Sequence, residues 1–398
     1  MIKKLSLGLL IAVMVFTLVG CEAPIPIKSY QDYKSDQDVV YVAFSKEGEE
    51  NDPIDYQDIA DYQSIYSEYN SRLMYNTLTD EQKQVYRILE YAHDNEYTSI
   101  FLDSRLVSNI GLSVEEILRL LAVDSPMVQQ NYSCSTNDTG YTFSYLWGLL
   151  SFEIGGQEFT IEGFSHESME KKKTAVSVAK EIVKTIPKNL NQLEQARFLF
   201  RYLTREVTYK ASSTAPNEQN NLYDALVLRE TQCDGYANAF SLMCAMANIP
   251  CAEKVCYGKQ EDEVGHTWNV FCADGVWYNA DLSLDADYAD LHIEMNTDFQ
   301  FGFSDARVKD ETDFYERFPK CNTNLIAVDY MASSSSDSKL VGNIRNAFRK
   351  GKKFVYIGLE KGKLKTSDLQ KIANQTGHDI IAIDDVVGDK NYYYIFKD

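Results

Sequence analysis

The chain has 398 residues, with 39 basic and 59 acidic side chains for a formal net charge of −20, and 44% of it is apolar and 12% aromatic. That is the composition of a globular protein with room for two or three domains. So acidic a chain is a poor match for nucleic acid, which is set aside as a partner.

At the start, Lys3 and Lys4 precede an apolar run from Leu5 to Val19 that closes in Leu18-Val19-Gly20-Cys21. A basic start, a short apolar core and a small residue before cysteine make a secretory signal. The ending resembles the bacterial lipobox, in which Cys21 would become the lipidated first residue of the mature protein. The run is short for a membrane span, and no other stretch could cross a bilayer. Residues 1–20 are therefore read as a signal peptide, and the mature chain as lipid-anchored on the extracytoplasmic face of a cell membrane. Without them, 37 basic residues stand against 59 acidic ones, a net −22. Seven cysteines lie beyond Cys21, at 134, 233, 244, 251, 256, 272 and 321. In an exported protein six of them could pair around one free thiol, in any of about fifteen connectivities.

Residues 21–37, polar and Pro-containing, read as a tether, and 38–190 as an N-terminal α+β domain. Thr79-Asp80-Glu81-Gln82 is a capping box, followed by Val85, Ile88, Leu89 and Ala92 at helical spacing. Ser113 opens a second helix through Leu121. Tyr141, Phe143, Tyr145 and Trp147 alternate with smaller or polar residues, and Phe152-Glu153-Ile154-Gly155-Gly156 leads to Phe159 and Ile161, so antiparallel strands are expected. A third helix carries Val176, Ala179, Val183 and Ile186. A new segment, 191–330, opens with Asn191 as cap and Glu194 three residues on, ahead of Leu193, Ala196, Phe200, Leu203 and Val207. A polar loop spans 210–220. Beyond it the serine run 331–338 reads as a linker, and 339–398 as a small α/β module. From Asp337 on there are 12 basic and 8 acidic residues, a net +4 on a chain whose mature remainder carries −26.

Chemistry concentrates between Tyr223 and Asp285. Val264–Cys272 and Val276–Leu282 are strand-like runs joined through Ala273-Asp274-Gly275, and Asp-Gly signals a two-residue hairpin loop. Counting back from that loop pairs Ala273 with Val276, Cys272 with Trp277, Trp268 with Asp281 and His266 with Ser283. His266 and Asp281 then share a face as diagonal neighbours, roughly 7 Å apart at the backbone. A carboxylate there would hold one imidazole tautomer and stabilise the imidazolium. Asp234–Asn248 reads as a helix ended by Ile249-Pro250, with Cys233 at its N-terminus, where the helix dipole favours a thiolate.

These residues carry a family resemblance. Asn221-Leu222-Tyr223-Asp224-Ala225-Leu226, Thr231-Gln232-Cys233-Asp234-Gly235-Tyr236-Ala237, Gly265-His266-Thr267-Trp268-Asn269 and Gly275-Val276-Trp277-Tyr278-Asn279-Ala280-Asp281 resemble the transglutaminase-like superfamily in its bacterial form. The likeness runs from Leu193 to about Cys321, a third of the chain. It implies an α+β fold with a papain-like core, a nucleophile helix packed on an antiparallel sheet. It also implies a triad that forms an acyl-thioester, with Cys233 as nucleophile, His266 as general base and acid, and Asp281 as orienting carboxylate. Where the family often follows its aspartate with Pro-Thr-Trp, this chain has Leu282-Ser283-Leu284. The substitution leaves the triad intact and alters the wall beside it.

The implied function is a thiol hydrolase or acyltransferase acting on peptide or glutamine amide bonds, with a peptidase or amidase preferred. A cross-linking transglutaminase and a non-catalytic surface binding protein are the alternatives. The partner would be a protein or peptide substrate, from the cell envelope in the lipoprotein reading, and the chemistry calls for no cofactor. A metal site at Cys251, Cys256 and Cys272 is the competing use of those cysteines; their spacing is not that of a zinc ribbon, and buried thiols or one disulfide are expected instead.

Overall fold

The computed structural model describes residues 41–45, 52–55, 62–97, 99–107, 110–128, 132–137, 140–145, 149–154, 157–162, 166–210, 221–256, 266–289, 300–307, 315–387 and 390–397, with Ile59 and Asp298. The expected signal peptide, Cys21, the expected tether and most of the polar loop after Tyr209 lie outside the described residues. Contacts divide the chain into two compact units, one of 1–65, 78–119 and 130–166, the other of 66–77, 120–129 and 167–398.

In the first unit, β1 (Tyr41–Ser45), β2 (Asp52–Asp55), β3 (Ser99–Asp103), β4 (Tyr132–Asn137) and β5 (Gly140–Tyr145) form one antiparallel sheet in the order β2-β1-β3-β5-β4. Val42, Phe44, Ile100 and Leu102 alternate along β1 and β3 and are buried. Helix α1 (Asp80–Asp94) has the expected capping box, with Gln82 N–H donating to Thr79 and Thr79 N–H to the Gln82 side chain. Its stripe of Val85, Ile88, Leu89 and Ala92 is fully buried. The helix expected from Ser113 is α2 (Val114–Asp124), and β6 (Leu149–Ile154) pairs with β7 (Gln157–Glu162) as a hairpin.

The second unit is built on α3 (His166–Lys184), α4 (Gln192–Glu206) and α5 (Cys233–Met246), packed with the four-stranded antiparallel sheet β10 (Cys251–Cys256), β11 (His266–Ala273), β12 (Val276–Ala280) and β13 (Phe301–Phe303). Between β12 and β13 runs α6 (Leu282–Ala289). Two short parallel strands, β8 (Thr208–Tyr209) and β9 (Glu230–Thr231), precede α5. Ala175, Ala179 and Ile182 of α3 share one core with Leu199, Phe200, Phe240 and Phe271. The third helix thus contributes its apolar stripe to this core, although the sequence boundary was drawn after it, at 190. Phe200 meets Phe240 and Phe301 edge-on, and Phe271 stacks on Phe301, which locks two helices to the sheet.

At the chain's end, β14 (Tyr330–Ala332), β15 (Phe354–Leu359), β16 (Ile380–Val387) and β17 (Lys390–Lys397) form a sheet in the order β14-β15-β17-β16, with α7 (Leu340–Arg349) and α8 (Thr366–Thr376) on one face. Ala332 belongs to that core, and Asp337 accepts from Ser333 N–H and Tyr330 Oη. The serine run expected as a linker is therefore closed by turns against the module.

The β11–β12 hairpin has the predicted loop: Ala273 pairs with Val276, Cys272 with Trp277 and Val270 with Asn279. Asp274 and Gly275 take φ of 50° and 81°, the paired positive values of a tight hairpin turn. Asp274 N–H donates to the Gln192 side chain of α4, which pins the turn. A Cβ on Gly275 would meet nothing within 4 Å, so the only obstacle to a side chain is its backbone angle. Gly275→Val is predicted to lower stability by about 1–2 kcal/mol through that angle alone. Urea denaturation checks it, and a variant as stable as wild type would show that the turn does not hold the register.

Candidate active site

Cys233 is placed from behind by the segment that precedes it. Thr208 N–H donates to Arg229 O and Lys210 N–H to Thr231 O, so the β8–β9 pair fixes the chain two residues before the thiol. Arg229 reverses the chain in the left-handed region, at φ 60°. Tyr236, in the first turn of α5, donates its hydroxyl to Val207 O at 2.6 Å. Gly235 has no room for a side chain: a Cβ there would collide with the Thr231 hydroxyl and lie 2.9 Å from Asn221 O. The start of α5 is thereby pressed against Asn221 and Thr231, and the half-buried Cys233 becomes its first residue.

His266 opens β11 and Asp281 follows the last residue of β12. His266 Nε2 and Asp281 Oδ2 are 2.6 Å apart, an ion pair when the imidazole is protonated. The Asp281 carboxylate is buried and the imidazole is half-buried. With Nε2 engaged, Nδ1 is the ring nitrogen left for the thiol; Cys233 is near enough to act on the imidazole charge, and its Sγ lies 3.8 Å from Asp234 Oδ1. His266 and Asp281 thus meet, by a local route at the end of the ladder that differs from the expected pairing, and Cys233 lies beside them at the start of α5. Trp268 and His266 were expected to pair with Asp281 and Ser283, but the β11–β12 ladder stops at Asn269 and Ala280. From Leu282 on the chain is helical, and Asp281 caps that helix: its Oδ1 accepts from Leu284 N–H at 3.1 Å and from Ser283 Oγ at 2.8 Å.

Burial by itself would lower the His266 pKa, but the Asp281 charge and hydrogen bond, with those of Cys233, outweigh it and push it up to about 11. The favoured state is therefore an imidazolium. Because the folded pKa lies above the ordinary value of 6.5, the stabilisation from this contact is complete below that value and is lost as pH rises toward about 11. The Trp268 ring stacks on the imidazole, with centroids 5.8 Å apart, and is itself 5% exposed. It supplies an aromatic face for the cation and excludes water from the His266–Asp281 bond.

Sequence reading missed the polar residues that hold these three. Thr267 Oγ1 donates to Asp234 Oδ1, tying the strand beside His266 to the helix beside Cys233. Trp268 Nε1 donates to Asn279 Oδ1 at 3.3 Å, and Asn279 Oδ1 also accepts from Lys254 Nζ at 2.9 Å. Lys254 is wholly buried and pairs with Asp305 at 3.0 Å. Thr267, Trp268 and Asn279 lay inside the quoted motifs, but no spacing rule assigns them partners across α5 or β13. Among the described residues no group of three or more His, Cys, Asp or Glu is arranged to hold a metal ion, and Cys233, Cys244, Cys251, Cys272 and Cys321 are free thiols. Cys251 sits beside Ser241, 3.5 Å from its hydroxyl, and beside Cys244.

The two roles of Asp281 can be separated. Asp281→Asn keeps a good cap for α6 but removes the charge facing His266, so the fold should hold while the His266 pKa drops from about 11 to near or below 6.5. Asp281→Ala loses the cap as well and should be less stable than the Asn variant by about 1 kcal/mol. An NMR titration of the imidazole, read with a denaturation curve, checks both; an unmoved His266 pKa in Asp281→Asn would refute the assignment.

Residues 176–282 match the family model described as the transglutaminase-like superfamily. Kyphoscoliosis peptidase of Mus musculus is 26% identical over 102 residues, which cover 23% of this chain and 15% of that protein. The Homo sapiens protein of the same name is 26% identical over 100 residues, covering 22% and 15%. The chain thus spans about a seventh of the length of these curated relatives. A solved structure described as a TGase aligns with a TM-score of 0.24 and 12% identity over 38% of this chain and 43% of that one. The matched range contains Cys233, His266 and Asp281, and residues 176–282 of this chain are a transglutaminase-like domain.

Proposed function

We propose that the chain is an extracytoplasmic thiol hydrolase or acyltransferase that cleaves peptide or glutamine amide bonds through a thioester on Cys233, with water as the usual acceptor. The observation that carries this reading is one imidazole bonded to a buried carboxylate, with a half-buried thiol at the start of a helix near enough to act on its charge. The attacking species is the Cys233 thiolate, paired with protonated His266. The sulfur attacks the carbonyl carbon, and the helix dipole favours the negative charge that develops beside it. His266 gives its proton to the departing nitrogen, the C–N bond breaks, and an amine leaves. Neutral His266 then takes a proton from water, whose oxygen attacks the thioester carbonyl and frees the acid and Cys233. An amine in place of water would give transamidation by the same steps.

Hydrolysis is favoured because the curated relatives that match this domain are named as a peptidase. The test is incubation with a glutamine-containing peptide, with and without a primary amine, followed by intact-mass analysis. The expected result is an acyl adduct on Cys233 that decays to free acid even when amine is present. It should be absent in Cys233→Ala and slowed by about 10²-fold or more in Asp281→Asn. Product that is mainly amide-linked would assign the chain to cross-linking instead, and no adduct with any acyl donor would leave a binding protein.

The cell-envelope setting is part of the same proposal, and rests on the Leu18-Val19-Gly20-Cys21 sequence. Lipid on Cys21 would tether the domain beside envelope proteins and peptides. A single chain binds membranes only marginally, so two or three acyl groups are expected there. Fatty-acid labelling of the wild type and of Cys21→Ala decides it: label should vanish in the variant, and equal label in both would rule the anchor out.

A further inference from the structure

Toward the thiol, the face that α5 turns to β10 and β11 is polar where a helix of this kind would ordinarily be apolar. Asp234, Asn238 and Ser241 follow one another along it, and Thr267, Asn269, Glu253 and Cys251 meet them from β11 and β10. Glu253 lies directly across from Asn269 in the ladder, and both are buried. Among the described residues, Glu253 Oε1 and Asn269 Oδ1 are buried acceptors without a hydrogen-bond partner.

Neither orphan can be removed by turning a side chain. Asn269 Nδ2 donates to Ala237 O at 3.0 Å and to Ser241 Oγ at 2.9 Å, so flipping the amide would set its oxygen against a carbonyl. The other Glu253 oxygen accepts from Asn238 Nδ2 at 3.5 Å, and the same nitrogen donates to Asp234 O. Among the described residues no cation pairs with the carboxyl. The adjacent Lys254 side chain is engaged with Asn279 and Asp305, while the titratable groups that act on Glu253 are Asp234 of α5 and Cys251 of its own strand. One proton would make a donor of one orphan and satisfy the other.

We propose that Glu253 is a neutral carboxylic acid whose O–H donates to Asn269 Oδ1, and that it acts as a positioning residue seating the Cys233 helix on the His266 strand. This rests on the thiol reading of the site. Burial first, and then the negative charge of Asp234, push the carboxyl well above its usual range, in keeping with the geometry. Ionised, Glu253 would confront Asp234 with no countercharge, and the α5–β11 seat would loosen. Its folded pKa is the raised one, so its stabilisation is complete below the unfolded value near 4.5 and declines as pH rises toward the folded value.

The test compares wild type, Glu253→Gln and Glu253→Ala in the full chain. Gln supplies a permanent N–H donor for Asn269 and cannot ionise; Ala supplies nothing. The melting temperature of Glu253→Gln should rise relative to wild type by roughly 4 °C for each pH unit between the two pKa values. Iodoacetamide labelling of Cys233, read by peptide mass mapping, should be several-fold slower in Ala than in Gln at pH 6. In wild type it should fall away at alkaline pH, where Gln holds its rate. In wild type carrying 13C-labelled glutamate, the carboxyl signal absent from Glu253→Gln should keep its protonated shift at pH 7. A pH-independent gap in melting temperature, equal labelling in Gln and Ala, or an ionised carboxyl shift would each overturn the proposal. None of these readings uses turnover, so an absence of amide cleavage would count against the function and leave the Glu253 result standing.

Discussion

The Asp281 carboxylate sits where β12 gives way to α6, with Oδ1 taken up by the helix cap and Oδ2 by His266. Each engagement constrains the other. The cap fixes the carboxylate in direction, so the second oxygen meets the imidazole with little freedom left to lose. The imidazole in turn gives the buried carboxylate a partner, and a buried carboxylate without one is costly. Move the helix start by one residue, and both bonds fail together.

Cys233 arrives at the same point by an independent route. Its position depends on the left-handed turn at Arg229, the short parallel pair β8–β9 and the packing of Gly235 on Asn221 and Thr231. The rigid part of the domain lies behind it, in the aromatic contacts of Phe200, Phe240, Phe271 and Phe301. Such contacts resist shear between helix and sheet because close-packed rings cannot slide without opening voids. Nearer the thiol the interface changes character. There hydrogen bonds from Thr267 to Asp234, Asn238 to Glu253 and Asn269 to Ala237 replace rings, giving up some burial of apolar surface for direction.

A second polar network supports the opposite side of the imidazole. Lys254, wholly buried, faces Asn279 and Asp305, and Asn279 holds the indole that covers His266. Burial would raise the Asp305 pKa, yet hydrogen bonds from Asn279 and Cys321 N–H and the Lys254 charge hold it below the usual range. The segment after β13 is thereby coupled to the site without touching it: Asp305 accepts from Cys321 N–H and donates its own N–H to Cys321 O.

Much of this could be read from one dimension. The Asp274-Gly275 turn set the register of β11 on β12, because a two-residue loop with positive φ admits only one pairing, and period-two alternation then placed His266 and Asp281 on a common face. Capping boxes at Thr79 and Asn191 marked helix starts for the same local reason. What lay beyond local rules was every contact between elements distant in the chain. Asp281 as a cap, Thr267 bonded to Asp234, Lys254 against Asp305 and the unpaired oxygens of Glu253 and Asn269 exist only once the helix lies on the sheet. Local sequence determines dihedral angles and periodicity, which are short-range. Burial, and with it the protonation of His266 and Glu253, depends on what tertiary packing brings to each side chain and on the water it removes.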